Sequence, residues 1–326
     1  MSFRPVIAAV LFAACARGAA PSEDIPADAR VSPSIDAKVG DPDAADIDAA
    51  PGTPDAKPGA PDAKPTPDGA PDANVDAMPS PDATPIVVNG LLLSEVVLAP
   101  TGGEFIEIVN PTASAVMLDH YYLSDNGTYW KLPAGGQTLE TGDFIAQFPA
   151  GASIPSHGVI TVALDTAANF TVAYPGVAPT YSVAGGTMTT VDVAGAAGLT
   201  NGGEPIILFS WDGQSDLVVD VDIMIAGVPS TTNLLGSKSN QTQDGPDTGT
   251  STSKYAVDAN TIAAQPAAPG SAKSTKRILV DTGHQIATGG NGVDGVDCTS
   301  EDTAVTWDSS AYTAPTPGDV PAALIP

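Results

Sequence analysis

From Ile86 onward the apolar residues come in runs too short for helices, each closed off by turn-forming residues. "LLLSEVVL", "EFIEIV", "GVITVAL", "EPIILFSW" and "DLVVDVDIMIAG" have the length and β-branched content of strands. Between them stand "APTGG", "SDNG", "LTNGG" and "SWDGQ", whose Gly, Asn and Asp supply the backbone conformations that chain reversals need. No stretch holds a helical period. Many short strands joined by Gly-rich turns predict an all-β domain, a sandwich or a barrel. In "DLVVDVDIMI", Asp220 and Asp222 alternate with Val219, Val221 and Ile223, which predicts one face in water and one buried.

Residues 228–277 interrupt this texture with a run rich in Ser, Thr, Gly and Asn, expected as a long, exposed loop or insertion. Strand texture returns weakly in "RILVD" and in "TAVTW", Thr303 to Trp307. Upstream of Ile86 the chain is of another kind. Fourteen of its 31 prolines fall between Pro21 and Pro85, where the unit Pro-Asp-Ala recurs and large apolar side chains almost vanish. Such a segment cannot bury enough surface to offset its ordering entropy, roughly 1–2 kcal/mol per residue for the backbone. Residues 16–85 carry 14 acidic and 5 basic side chains, so the segment repels itself and swells. It is expected as a disordered, acidic spacer reaching roughly 45 Å as a flexible coil and about 200 Å at full extension.

Residues 1–15, "MSFRPVIAAVLFAAC", place one positive charge before an apolar run from Val6 to Ala14. Nine residues are too few to span a bilayer, and the pattern is that of a secretory signal. "LFAAC" resembles a bacterial lipobox, which implies cleavage before Cys15 and lipid attachment to it; an ordinary signal cut nearby is the alternative. Ala16 after the cysteine implies the outer membrane or cell surface by the usual sorting pattern. Cys298 is then left without an intramolecular partner, and stability must come from a hydrophobic core rather than a disulfide framework.

The densest stretch is "GGEFIEIVNPTASAVMLDHYYLSDNGTYWKLP", Gly102 to Pro133. Along "EFIEIV", Glu104, Ile106 and Ile108 face one way and Phe105, Glu107 and Val109 the other. Pro111 donates no ladder bond and ends the strand. "ASAVMLDHYYLSD" predicts two further strands with a bend at Asp119-His120. These elements, from Ser94-Glu95 through Gly103–Ile108 and Asn110-Pro111 to Tyr122–Asp125, resemble the opening half of a lamin-tail domain. "LTNGGEPIILFSWDGQSDLVVDV" resembles that family's later hairpin, and "APTPGDVP", Ala314 to Pro321, its Pro-Gly ending. The resemblance implies an immunoglobulin-like β-sandwich over 86–326 with long loop insertions, since a plain domain of that kind has about 100 residues. His120 stands where the family commonly has a small residue.

Chemistry is sparse. Glu104 and Glu107 point to opposite faces, so with Asp119 and His120 they form no converging acid–base pair. His120, His157 and His284 have no metal-ligand spacing, and no phosphate loop, dinucleotide fingerprint or nucleophile elbow occurs. No catalytic residue is expected. The weak calcium candidates are Asp294 and Asp297 in "GGNGVDGVDC", though two carboxylates fall short of the six or more oxygens calcium takes. Residues 86–326 carry 24 acidic and 6 basic side chains, which disfavours nucleic acid. The expected function is a non-catalytic binding or structural module on a bacterial envelope, held to the membrane by its lipid and facing a protein or glycan partner. The alternative is an accessory or divergent hydrolase with a site in the long loops, with calcium.

Overall fold

The computed structural model describes residues 90–227, 235–259, 268–308, 314–319 and 322–325. The expected signal, Cys15 and the spacer lie outside the described residues. Within them the chain is mostly β. Its strands are β1 (Leu92–Val97), β2 (Phe105–Val109), β3 (Val116–Met117), β4 (Tyr121–Ser124), β5 (Phe144–Gln147), β6 (Ser153–Ile154) and β7 (Val159–Ala163). Then follow β8 (Tyr181–Ser182), β9 (Thr189–Val193), β10 (Gly203–Ser210), β11 (Val219–Gly227), β12 (Thr242–Gln243), β13 (Ser253–Lys254) and β14 (Thr275–Lys276). One five-stranded sheet runs β14-β1-β2-β7-β8 and the other β11-β10-β4-β5-β9. Their pairings are antiparallel except β7 with β8. No helix among the described residues is long and apolar enough to cross a membrane.

Alternation along β2 places its side chains as the pattern predicts. Ile106 and Ile108 join Leu93, Val96, Ile160 and Val162 in a core shared with Leu123, Phe144, Ala146, Ile206, Leu208 and Met224 of the second sheet. Burying each such side chain contributes about 1.5–3 kcal/mol, so this shared core is the main apolar reservoir. The outer faces are covered too. Phe105 and Ala163 pack under Phe170 of α1 (Ala167–Ala173). Ile207, Phe209, Ile223 and Ile225 pack under the 3-10 turn Tyr129–Ala134, with Tyr255 and Cys298. These coverings account for a chain longer than two sheets alone need.

Several expectations change. α1 holds no long apolar period: Thr166 caps its start by accepting from the Asn169 N–H, and the single buried Phe170 anchors it. Two turns are too short for periodicity to register. Thr303–Thr306 forms one helical turn (α2) rather than a strand, and Trp307 after it pairs with Arg277 in an isolated bridge. "RILVD" likewise is not the strand; β14 lies just before it, at the edge beside β1, and Ile278 and Leu279 are exposed. The 228–277 segment is not simply exposed, because its described part buries Lys238, Tyr255, Asp258, Thr275 and Arg277.

The largest correction concerns β11. Asp220 and Asp222 are both buried, not wet. β10 pairs Leu208 with Asp222 but Phe209 with Asp220, so Val221 is an extra residue in a bulge. A bulge resets the alternation. Asp220 therefore reaches outward to Tyr129, while Asp222 reaches inward to the backbone of Leu93 in the first sheet.

Candidate functional site

The carboxylates of the Gly102–Pro133 stretch go to separate places. Glu104 accepts from the Leu199 N–H at 3.3 Å, and burial pushes its carboxyl up to about 7, eased by that bond and reinforced by Asp165. Glu107 lies on the opposite face, fully buried on β2 between β1 and β7. It is a central-strand residue. Ser94 Oγ donates to it at 3.0 Å, Thr161 Oγ1 at 3.4 Å and the Gly318 N–H at 2.5 Å. Burial lifts it to about 7, the Gly318 bond lowers it, and the neighbouring Glu95, its cross-strand partner, raises it. Glu95 in turn accepts from the Thr316 N–H at 3.0 Å, with Lys276 Nζ at 3.7 Å. The Pro-Gly segment 314–319 thus docks through its backbone onto two buried glutamates.

Asp119 and His120 are corner residues. Asp119 accepts from the Gly151 N–H at 2.8 Å, and His120 is exposed, its carbonyl accepting from the Trp211 N–H. His120, Trp211, Asp212 and Leu217 line a shallow surface pocket, while His157 and His284 stand apart from it and from each other's contacts. Two buried asparagines build neighbouring corners. Asn110 donates to the carbonyls of Ser114, Ile154 and Pro155, and Asn126 to Thr138 O and Asp143 Oδ2. Each accepts from the Thr two residues on, in Asn110-Pro111-Thr112 and Asn126-Gly127-Thr128.

Of the calcium candidates, Asp297 is buried with its oxygens turned to the backbone. Oδ1 accepts from Thr299 N and Oγ1, and Oδ2 from the Ala259 N–H at 2.9 Å. The side chain of Asp294 lies outside the described residues. Groups of three carboxylates near enough to share an ion occur elsewhere: Asp125, Asp143 and Glu204, all buried, and the more exposed Asp216, Asp244 and Asp247. In the first group, Asp125 Oδ1 accepts from the Phe144 N–H, while its Oδ2 is buried without a hydrogen-bond partner. Burial raises Asp125 well above the usual carboxylate range, and Asp143 and Glu204 add to it.

The bulge on β11 creates two ionic centres that the sequence reading missed. Inward, Arg277 holds Asp222 through Nη2 at 2.8 and 3.0 Å, Glu301 through Nη1 at 2.5 Å and the Leu93 carbonyl through Nε at 2.7 Å. Its guanidinium lies 4.9 Å from the Trp307 ring centroid. Outward, Lys238 Nζ lies 2.5 Å from Asp220 Oδ2, 3.0 Å from Asp258 Oδ2 and 2.6 Å from Tyr129 Oη. The Asp220-Val-Asp222 repeat was a usable signal, since two carboxylates spaced this closely in an apolar strand need cationic partners. Cys298 is a free buried thiol pushed well up by burial, and it lines a cavity of about 90 Å³ with Leu91, Val221 and Val296.

No protein-family model matches this chain, and the search of curated proteins found no match. Among solved structures, the crystal structure of a DUF4876 family protein from Bacteroides thetaiotaomicron VPI-5482 is similar at 13% identity. The match covers 70% of this chain and 75% of that one, with a TM-score of 0.34. That likeness is too distant to carry a fold or a function.

Proposed function

We propose that the chain is an envelope lipoprotein whose folded part is a lamin-tail-like, immunoglobulin-like β-sandwich serving as a non-catalytic binding or structural module. One observation supports this most. Glu104, Glu107 and Asp119 of the Gly102–Pro133 stretch are each taken up in holding backbone N–H groups of other segments, as Glu107 holds that of Gly318 while accepting from Ser94 and Thr161. The anchor, Cys15, keeps the module on the membrane, and the spacer presents it to a protein or glycan. Replacing Cys15 by Ser should leave an unprocessed precursor that takes up no labelled palmitate. Equal labelling of mutant and wild type would sink the anchor, and binding of residues 86–326 to envelope glycans or proteins tests the module.

The alternative, a hydrolase accessory with calcium, draws on the buried trio Asp125, Asp143 and Glu204 with its partnerless Asp125 oxygen. Calcium titration separates a cation from a proton there. A thermal midpoint raised by calcium and lowered by chelator supports the cation. A midpoint raised only by acidification assigns the trio to shared protons.

A further inference from the structure

We propose that Lys238 and Asp220 join in an intramolecular amide, Nζ to Cγ, with Asp258 passing the protons. The three side chains converge from separate segments: Asp220 from β11, Lys238 from the end of the 3-10 turn Leu235–Lys238, and Asp258 from the loop after β13. The Lys238 side chain is 0% exposed, and those of Asp220 and Asp258 are each 1% exposed. Nζ stands 2.5 Å from Asp220 Oδ2 in a site walled by Tyr129 and Tyr255. Reacting groups held in contact and out of water need no encounter, which removes the largest entropic part of the barrier.

The polar contacts divide the roles. Tyr129 Oη donates to Asp220 Oδ1 at 2.6 Å, so Oδ1 is the oxygen kept and polarised as the carbonyl. Oδ2, nearest the amine, is the oxygen that leaves. Asp258 Oδ1 is held by the Asn291 N–H at 3.0 Å, while Oδ2 is paired with Nζ at 3.0 Å. That contact is the path along which it takes a proton. Gly290 leaves room for this arrangement, because a Cβ there would come within 2.7 Å of Asp258 Oδ1.

The step balances without an oxidant or activated donor. The ammonium gives one proton to Asp258, the neutral amine attacks Cγ, and the Nζ–Cγ bond forms. Asp220 enters as the acid with its proton on Oδ2. Asp258 passes its proton to that hydroxyl and takes up a second Nζ proton, and the Cγ–Oδ2 bond breaks to release one water, leaving Asp258 neutral. The product amide keeps one N–H, which faces Asp258. Two buried charges vanish and a water returns to solvent, which favours the amide over an ion pair that is costly to bury. Burial raises Asp220, in the sense that makes its carboxyl available in the reactive acid form. The two aspartates hold Lys238 charged against the opposing effect of burial, so transfer to Asp258 is the step that starts the reaction.

Trypsin digestion of the denatured full-length protein, followed by mass measurement, tests this. The expected peptide runs from Leu132 to Lys254, uncut at Lys238 and lighter than its sequence by one water, with fragmentation placing the branch at Lys238 and Asp220. Free peptides Leu132–Lys238 and Ser239–Lys254 at full mass overturn the proposal. A water loss mapped to an Asp-Gly step with Lys238 cut also overturns it. Asp258→Asn should return Lys238 to trypsin, and complete cross-linking in that variant overturns the proton-passing role. Lys238→Met should give the full-mass peptide. The wild-type digest decides by itself if either variant fails to fold.

Discussion

Asp220 and Asp222 are two residues apart on one strand, yet each meets a different cation in different surroundings. On the inner side, Arg277 presents a planar fork that matches Asp222 and Glu301 at once and also reaches a backbone carbonyl. On the outer side, Lys238 presents a compact amine that Asp220, Asp258 and Tyr129 surround. A guanidinium stays charged and does not acylate under such conditions, so the inner centre is a permanent ionic clasp. A lysine amine can lose its proton, so the outer centre can become covalent. The contrast teaches that burial and charge alone do not define a buried ion pair; the nucleophilicity of the cation decides what it can turn into.

The largest effect should come from breaking the clasp. Arg277→Ala would leave Asp222 and Glu301 buried without their cation, at a cost of about 3–5 kcal/mol. Denaturant melts measure this, and Arg277→Lys should recover only part of it, because one amine cannot match two carboxylates and a carbonyl. Full recovery by lysine would make the two centres equivalent and erase the contrast.

Next in size is a packing control that carries no charge. Ile108→Ala removes a fully buried side chain from the shared core and should cost about 2–5 kcal/mol. If it costs as little as a surface change, the two sheets are not held by that core.

A third test uses a buried acid with no cation of its own. Glu107 has its carboxyl raised from 4.5 to about 7, chiefly by burial. A raised folded value means that stability is fully present below the ordinary value and is lost as pH rises through about 7. On the order of 3 kcal/mol should be lost over that window. Glu107→Gln should flatten this part of the pH profile while changing stability by about 1 kcal/mol on the acidic side. An unchanged profile would assign the slope to Glu104, which is also raised to about 7. The smallest effect belongs to exposed His120, where His120→Ala should stay within about 0.5 kcal/mol in thermal melts.

Much of the first half of the fold could be read directly. The alternation in "EFIEIV" placed Ile106 and Ile108 inward, and Asn110-Pro111 closed the strand where β2 ends at Val109. The turn at Asp119-His120 separates β3 from β4 as the residue pattern implied. Glu107 was harder to read. Alternation gave its face, but only the order β14-β1-β2-β7-β8 makes its strand central, and only the 314–319 segment closes over it. Residues 235–308 were read least well, because their buried groups are polar. Lys238, Asp258, Arg277 and Glu301 carry no apolar period, and their partners lie up to 184 residues away.

By itself, then, the sequence determined the mostly β character, the strands of the first half and the inward faces of their apolar residues. Those properties depend on neighbours within a few residues, where a period of two and a turn-forming glycine are visible in the text of the chain. Tertiary structure alone decided where the aspartates of β11 point. One extra residue at Val221 in the pairing with β10 sends Asp220 and Asp222 to opposite faces. That bulge is a property of two strands in register, and neither strand carries it alone. The lysine and the arginine reach those faces from segments distant in sequence, brought there by packing that buries a charge only where an opposite charge is waiting.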